Sequence, residues 1–153
     1  MSERYTQIVL LIIAVTFIVI LYQLPTSVID NKDVQNQVNE NFSLERAIKL
    51  VEGDNPMEGI FMLRDIIEKT PENTDALYYL GILSLKTAQY ENAAKRFNQI
   101  IFIDSSDKRA YLQLGFSNYY LGKYKTADSL FNIIMESGDS LLINDLDFFL
   151  KSK

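Results

Sequence analysis

Apolar residues are distributed along this chain in two ways. Between Tyr5 and Leu24 they run almost without a break. The stretch "IVLLIIAVTFIVILY" (Ile8–Tyr22) holds one polar residue, Thr16, and no charge falls between Arg4 and Asp30. A buried core helix is one reading of such a run, but this one is apolar all round and shows no polar face. As a helix, its 20 residues span roughly 30 Å, the thickness of a bilayer core. Tyr5 and Tyr22 sit near its ends, where aromatic rings favour the headgroup level, and Pro25 closes it. The pattern predicts a transmembrane anchor over residues 5–24 behind a short tail, residues 1–4. A cleaved signal peptide is the rival reading. The run is long for one, and "QLPTSVID" lacks an Ala-x-Ala site.

From residue 42 onward the apolar residues recur at helical spacing. Leu77, Leu80, Leu83 and Leu85 suit one helix, and Ala93, Ala94, Phe97, Ile100 and Ile101 a second. "TAQY" and "LGKY" supply short turns between paired helices. Residues 25–41, "PTSVIDNKDVQNQVNEN", are polar and rich in Asn and Gln, which predicts a tether. Leu142, Leu146 and Phe149 recur at four and three after Ser137-Gly138, which ends the helix before them. A helix over residues 140–153 follows, with its polar residues expected outward.

The two helix pairs are copies. At an offset of 34 residues, Ala76 meets Ala110, Leu80 meets Leu114, and Gly81 meets Gly115. Tyr90 likewise meets Tyr124, Ala93 meets Ala127, Phe97 meets Phe131, and Ile100 meets Ile134. Two antiparallel helices that cross closely need small residues at the contact. Gly81 and Gly115 serve on one helix of each pair, Ala93 and Ala127 on the other. Phe97 and Phe131 are large enough to fill the gap to the neighbouring helix.

This 34-residue period, with Leu-Gly, then Ala, then an aromatic four residues later, resembles the tetratricopeptide repeat. Leu77 and Tyr111 stand in the family's tryptophan slot, Ser84 and Asn118 in its tyrosine slot, and Ser105 and Asp139 in its proline slot. A degenerate copy lies upstream, where Ala47 falls opposite Gly81, Gly59 opposite Ala93, and Leu63 opposite Phe97. There Asn55, Pro56 and Glu58 form a helix-start signal, and Pro71 a stop. The helix before it admits two registers. The strict offset puts Arg46 where a Leu is expected; a one-residue slip turns Leu44, Ala47, Ile48 and Val51 inward.

The resemblance implies an all-α, right-handed α-α superhelix. Three hairpins (residues 42–73, 74–107 and 108–139) would be closed by the capping helix. It also implies a groove lined by the first helix of each pair, which holds a protein or peptide partner. Off the packing positions, the groove residues are Tyr78, Ile82 and Leu85 in the second repeat, with Asp75 at the rim. In the third they are Leu112, Phe116 and Tyr119, with Arg109 at the rim. The family branch that grips C-terminal carboxylates uses Lys, Asn and Arg in these slots. Tyr78, Ile82 and Phe116 replace them here, which argues against that specificity.

Composition narrows the chemistry. The 153 residues contain no His and no Cys, so the commonest general base, thiolate metal sites and disulfides are all absent. No phosphate loop, EF-hand or nucleophile elbow is present. No catalytic residue, metal site, cofactor or small-molecule substrate is expected. The net charge of -5 carries no Lys/Arg run, which argues against nucleic acid. Arg4 before the apolar run, against Lys32 between Asp30 and Asp33 after it, gives a slight bias toward a cytoplasmic N-terminus. The repeats would then face outward, into a periplasm. The expected protein is a single-pass membrane scaffold of bacterial type that binds a partner. The alternative is an accessory subunit of a larger membrane complex, with the transmembrane helix as part of the interface.

Overall fold

The computed structural model describes residues 5, 7, 13–17, 19 and 43–152. The chain divides into two units, Met1–Val38 and Asn39–Lys153. The tail and tether lie outside the described residues, as does most of the expected anchor. Its described members are helical and exposed, with Thr16 Oγ1 donating to the Ile13 carbonyl at 2.9 Å. Among the described residues no helix is long and apolar enough to cross a membrane.

The second unit is all helix among its described residues: α1 (residues 43–52), α2 (Pro56–Lys69), α3 (Thr74–Lys86), α4 (Tyr90–Ile103), α5 (Lys108–Tyr120), α6 (Tyr124–Ser137) and α7 (Ser140–Lys151). Side chains set where α3, α5 and α7 begin. Asn73 accepts from the Ala76 amide, Asp107 from those of Arg109 and Ala110, and Asp139 from those of Leu141 and Leu142. Each satisfies amides the helix itself leaves open. At α2 the start differs from the expected capping box. The Asn55 side chain accepts no backbone bond; its amide donates to Glu58 Oε2 at 2.7 Å.

The turns closing α3 and α5 are also copies. The Gln89 amide donates to the Ser84 carbonyl and the Ala88 amide to that of Leu85. In the next repeat Lys123 donates to Asn118 and Gly122 to Tyr119. This is the Schellman arrangement, which needs a left-handed residue. Gly122 adopts φ 73°, and Ala88 is held at φ 57° in the same slot. A side chain costs about 1–2 kcal/mol in that region. Ala88→Gly is therefore expected to stabilise by about 1 kcal/mol, after the extra freedom glycine gains in the unfolded chain. Gly122→Ala, with open space around it, should destabilise by about as much through backbone strain alone. Urea midpoints of both variants, moving in opposite directions, check this.

The core forms three clusters in series. Ala47, Leu63, Ile66, Ala76 and Leu80 join α1 and α2 to α3. Leu77, Ala93, Phe97, Ile100, Ala110 and Leu114 join α3 and α4 to α5. Leu112, Ala127, Phe131, Ile134, Leu146 and Phe149 join α5 and α6 to α7. Each hairpin thus buries its apolar face against its neighbour, as stacked repeats must. The register of α1 is settled by burial. Ala47 is fully buried with Leu44 and Val51 packed beside it, while Arg46 is exposed and lies 3.9 Å from Glu58.

The small residues play a different part from the one expected. A Cβ on Gly81 would lie 2.6 Å from Phe97 Cζ, and one on Gly115 would lie 2.8 Å from Phe131 Cδ1. Each glycine seats the phenylalanine ring of its own hairpin rather than the facing alanine. The first hairpin reverses the sizes. Ala47 and Leu63 occupy the equivalent slots, and the bare position moves to Gly59, where a Cβ would lie 2.6 Å from the Ala47 carbonyl oxygen. The outer face of α7 also departs from expectation. Leu146 and Phe149 are buried as predicted, but the outward face carries Leu141, Phe148 and Leu150, 75%, 77% and 49% exposed.

Candidate functional site

The six expected groove residues do not form one exposed surface. Leu112 is fully buried, because α7 packs over it with Leu146 and Phe149. It belongs to the core and is withdrawn from the groove. Tyr78, Ile82 and Leu85 are half-buried against the middle cluster, and Phe116 and Tyr119 against the last. Phe116 is wedged between two rings, its centroid 4.2 Å from that of Phe149 and 5.8 Å from that of Phe131. Tyr119 meets Tyr124 and Phe149 edge-on, both at 5.2 Å.

Arg109 covers Tyr78. Its guanidinium carbon stands 5.0 Å from the ring centre, while Nη2 reaches Asp107 at 2.8 Å and Asp75 at 3.2 Å. Burial pushes the Tyr78 phenol above its usual range, against the opposing effects of Arg109 and of the hydrogen bond with Gln113. The Arg109 guanidinium is held still more firmly protonated, chiefly by its hydrogen bond to Asp107 and also by Asp75. Asp75 and Arg109 are equivalent positions one repeat apart. Their bond is a rung between successive first helices, and the two rim residues bind each other.

Two of the expected residues, Leu85 and Phe116, line a shallow pocket of about 260 Å³ together with Lys86, Tyr90, Tyr120 and Phe149. It lies at the C-terminal ends of α3 and α5, where α4 begins and α7 passes. Tyr90 and Tyr120 stack at 4.7 Å with planes 7° apart, and Tyr120 meets Phe149 edge-on at 5.8 Å. Among the described residues Lys86 is the only cation in this lining. Stacked and edge-on rings form a rigid apolar wall that can take an aliphatic or aromatic group. Sequence reasoning missed Lys86, Tyr90, Tyr120 and Phe149. Tyr90 carried a signal, as the recurrent aromatic that opens the second helix of its hairpin.

A second hollow lies between α2, α3 and α4. Arg64, Lys95 and Arg96 converge on it from two helices, although no run of basic residues marks them in the sequence. Among the described residues no group of three or more acidic side chains is placed to hold a metal ion.

Residues 75–101 and 109–137 each match the family model of the tetratricopeptide repeat. These stretches coincide with the hairpins α3–α4 and α5–α6. The second TPR of Spaghetti (RPAP3), solved bound to the HSP90 peptide SRMEEVD, aligns with a TM-score of 0.61 and 22% identity, covering 68% of this chain and 96% of that one. At that identity the likeness is one of fold. No curated protein matches the sequence. The helical unit therefore has the tetratricopeptide-repeat fold, an all-α solenoid.

Proposed function

We propose that the protein is a membrane-tethered repeat scaffold that holds a segment of a partner protein in the pocket between Leu85, Phe116, Tyr120 and Phe149. The observation that carries this reading is the aromatic wall itself, three rings fixed by mutual packing at the edge of an open hollow. Rigid aromatics lose little entropy on binding, and they dominate interface energetics. The peptide-bound state of the structurally similar repeat protein supports a peptide or chain segment as the occupant. An apolar anchor residue would rest against the wall that Tyr120 and Phe149 form with Phe116, and a nearby carboxylate would meet Lys86.

The tether rests on the uncharged stretch from Tyr5 to Ile29. The helical, exposed Ile13, Val15, Phe17 and Val19 agree with it. The weak positive bias before the apolar run favours the repeats on the outward side. A second reading, an accessory subunit within a larger membrane complex, is favoured by the apolar outer face of α7, where Leu141 and Phe148 are among the most exposed hydrophobic residues.

One experiment separates the readings. Membranes carrying the full chain are washed with alkaline carbonate and irradiated, with a photo-cross-linking residue at Tyr120, at Phe148 or at Phe102. Phe102 is the control, 92% exposed on α4. The expected result is retention on the membrane and one discrete adduct from Tyr120, absent from Phe102. Release by carbonate would overturn the anchor. An adduct from Phe148 alone would favour the subunit reading.

A further inference from the structure

We propose that the hollow between α2 and α4 is a second binding site, a trough that takes an acidic peptide segment with its carboxylates against Arg64 and Arg96. The trough has a volume of about 270 Å³. Arg64, Lys95 and Arg96 supply its charge, Asn92 and Gln99 its neutral polar groups, and Leu80 part of its apolar floor. It continues into a smaller hollow of about 110 Å³, since Arg64, Leu80 and Arg96 line both. It shares no residue with the aromatic pocket.

Among the described residues the charge is uncompensated: none of their carboxylates lines either hollow, in a chain whose net charge is -5. The ion pairs among the described residues lie elsewhere, at Arg46–Glu58, Lys69–Asp65 and Arg109 with Asp75 and Asp107. Among the described residues Arg96 finds partners only through Nη1, which donates to Ser84 Oγ at 3.0 Å and to the Asn92 carbonyl at 3.3 Å. Its Nε and Nη2 have no protein acceptor among the described residues. Burial and then the neighbouring Arg64 both act against the Arg96 charge, lowering its pKa from the usual arginine value. Like charges held together and partly desolvated disfavour each other, and an anion between them reverses the sign of that interaction.

The fold provides its own control. One repeat on, the positions of Arg64, Lys95, Arg96 and Gln99 are held by Asn98, Ser129, Leu130 and Ile133. Leu130 there packs against the core. The stacking of hairpins is thus met by neutral and aliphatic residues in the same slots, and packing does not require the cations. What they add is a binding surface. Guanidinium groups fit carboxylates two bonds at a time. A trough open along its length, with an apolar floor, suits an extended chain better than a compact ion. Three cations on an acidic protein are too few for a nucleic-acid backbone.

The test uses the full chain in mild detergent and fluorescein-labelled hexaglutamate, read by anisotropy. Saturable binding is expected. Arg64→Gln and Arg96→Gln should each weaken it about tenfold, and Lys125→Gln on α6 should leave it unchanged. Arg64 is exposed and makes no hydrogen bond among the described residues, so its variant should melt with the parent and keep the test valid if Arg96→Gln unfolds. Equal affinity for hexaglutamine, or unchanged binding by Arg64→Gln, would overturn the proposal. So would displacement of the peptide by inorganic phosphate at equal concentration, which would mark a site for compact oxyanions instead.

Discussion

Phe116→Ala is expected to destabilise the full chain by about 3 kcal/mol, the lower end of the range for a large aromatic removed from packed surroundings. Its ring is held between Phe149 on α7 and Phe131 on α6. Both partners belong to the last core cluster. Removing the ring opens a cavity under α7 and deletes the contact nearest to that helix. Two measurements check this. The urea midpoint should fall, and limited proteolysis should cut between Gly138 and Leu141 sooner than in the parent. A parent-like midpoint would show that Phe116 is a surface residue, as the spacing alone suggests.

Gly115→Ala is expected to destabilise by about 1–3 kcal/mol, the scale of overpacking in a tight core. The substitution gains up to about 1 kcal/mol of helix propensity. The decision turns on whether the Phe131 ring can move. Phe131 is 5% exposed, and the rings of Phe116 and Phe149 lie 5.8 and 6.1 Å from it, so the ring has nowhere to go. Combining Gly115→Ala with Phe131→Leu should make the pair less damaging than the sum of the singles. The first hairpin already uses that combination at Ala47 and Leu63. A double-mutant cycle by urea denaturation measures the coupling. Additive effects would show that ring and glycine do not touch.

The repeated hairpins were legible because their slots are limited by size. Only a residue without a side chain fits at Gly81 and Gly115, and only a ring fills the space above, so the 34-residue offset is a record of packing. The caps were not read: Asn73 and Asp107 stand one repeat apart and each accept backbone amides, whereas the side chain of Asn55, where a cap was expected, accepts none. The surface was much less legible. Spacing placed Leu112 on the groove side, but the helix that buries it comes from outside the repeat and leaves no trace in the period. The aromatic pocket draws on α3, α4, α5 and α7, and the basic trough draws Arg64 from one hairpin and Lys95 and Arg96 from the next. Such neighbours are set by how hairpins stack, and no run of sequence announces them. The Asp75–Arg109 rung lies between these cases. Its members were recognised as equivalent rim positions, and equivalence across adjacent helices is what brings them within 3.2 Å.

The seating of a ring on a bare backbone also gives the chain a direction in which it can change. Starting from Gly115 and Phe131, adding a methyl first meets the ring at once. Trimming the ring first leaves only a void, which neighbouring side chains can partly close. The second step then fills part of that void. Of the two mutational orders that lead to the Ala and Leu arrangement of the first hairpin, one crosses a steric barrier and the other descends through a loosened but folded intermediate. Drift between the two forms of this hairpin is therefore gated by the phenylalanine.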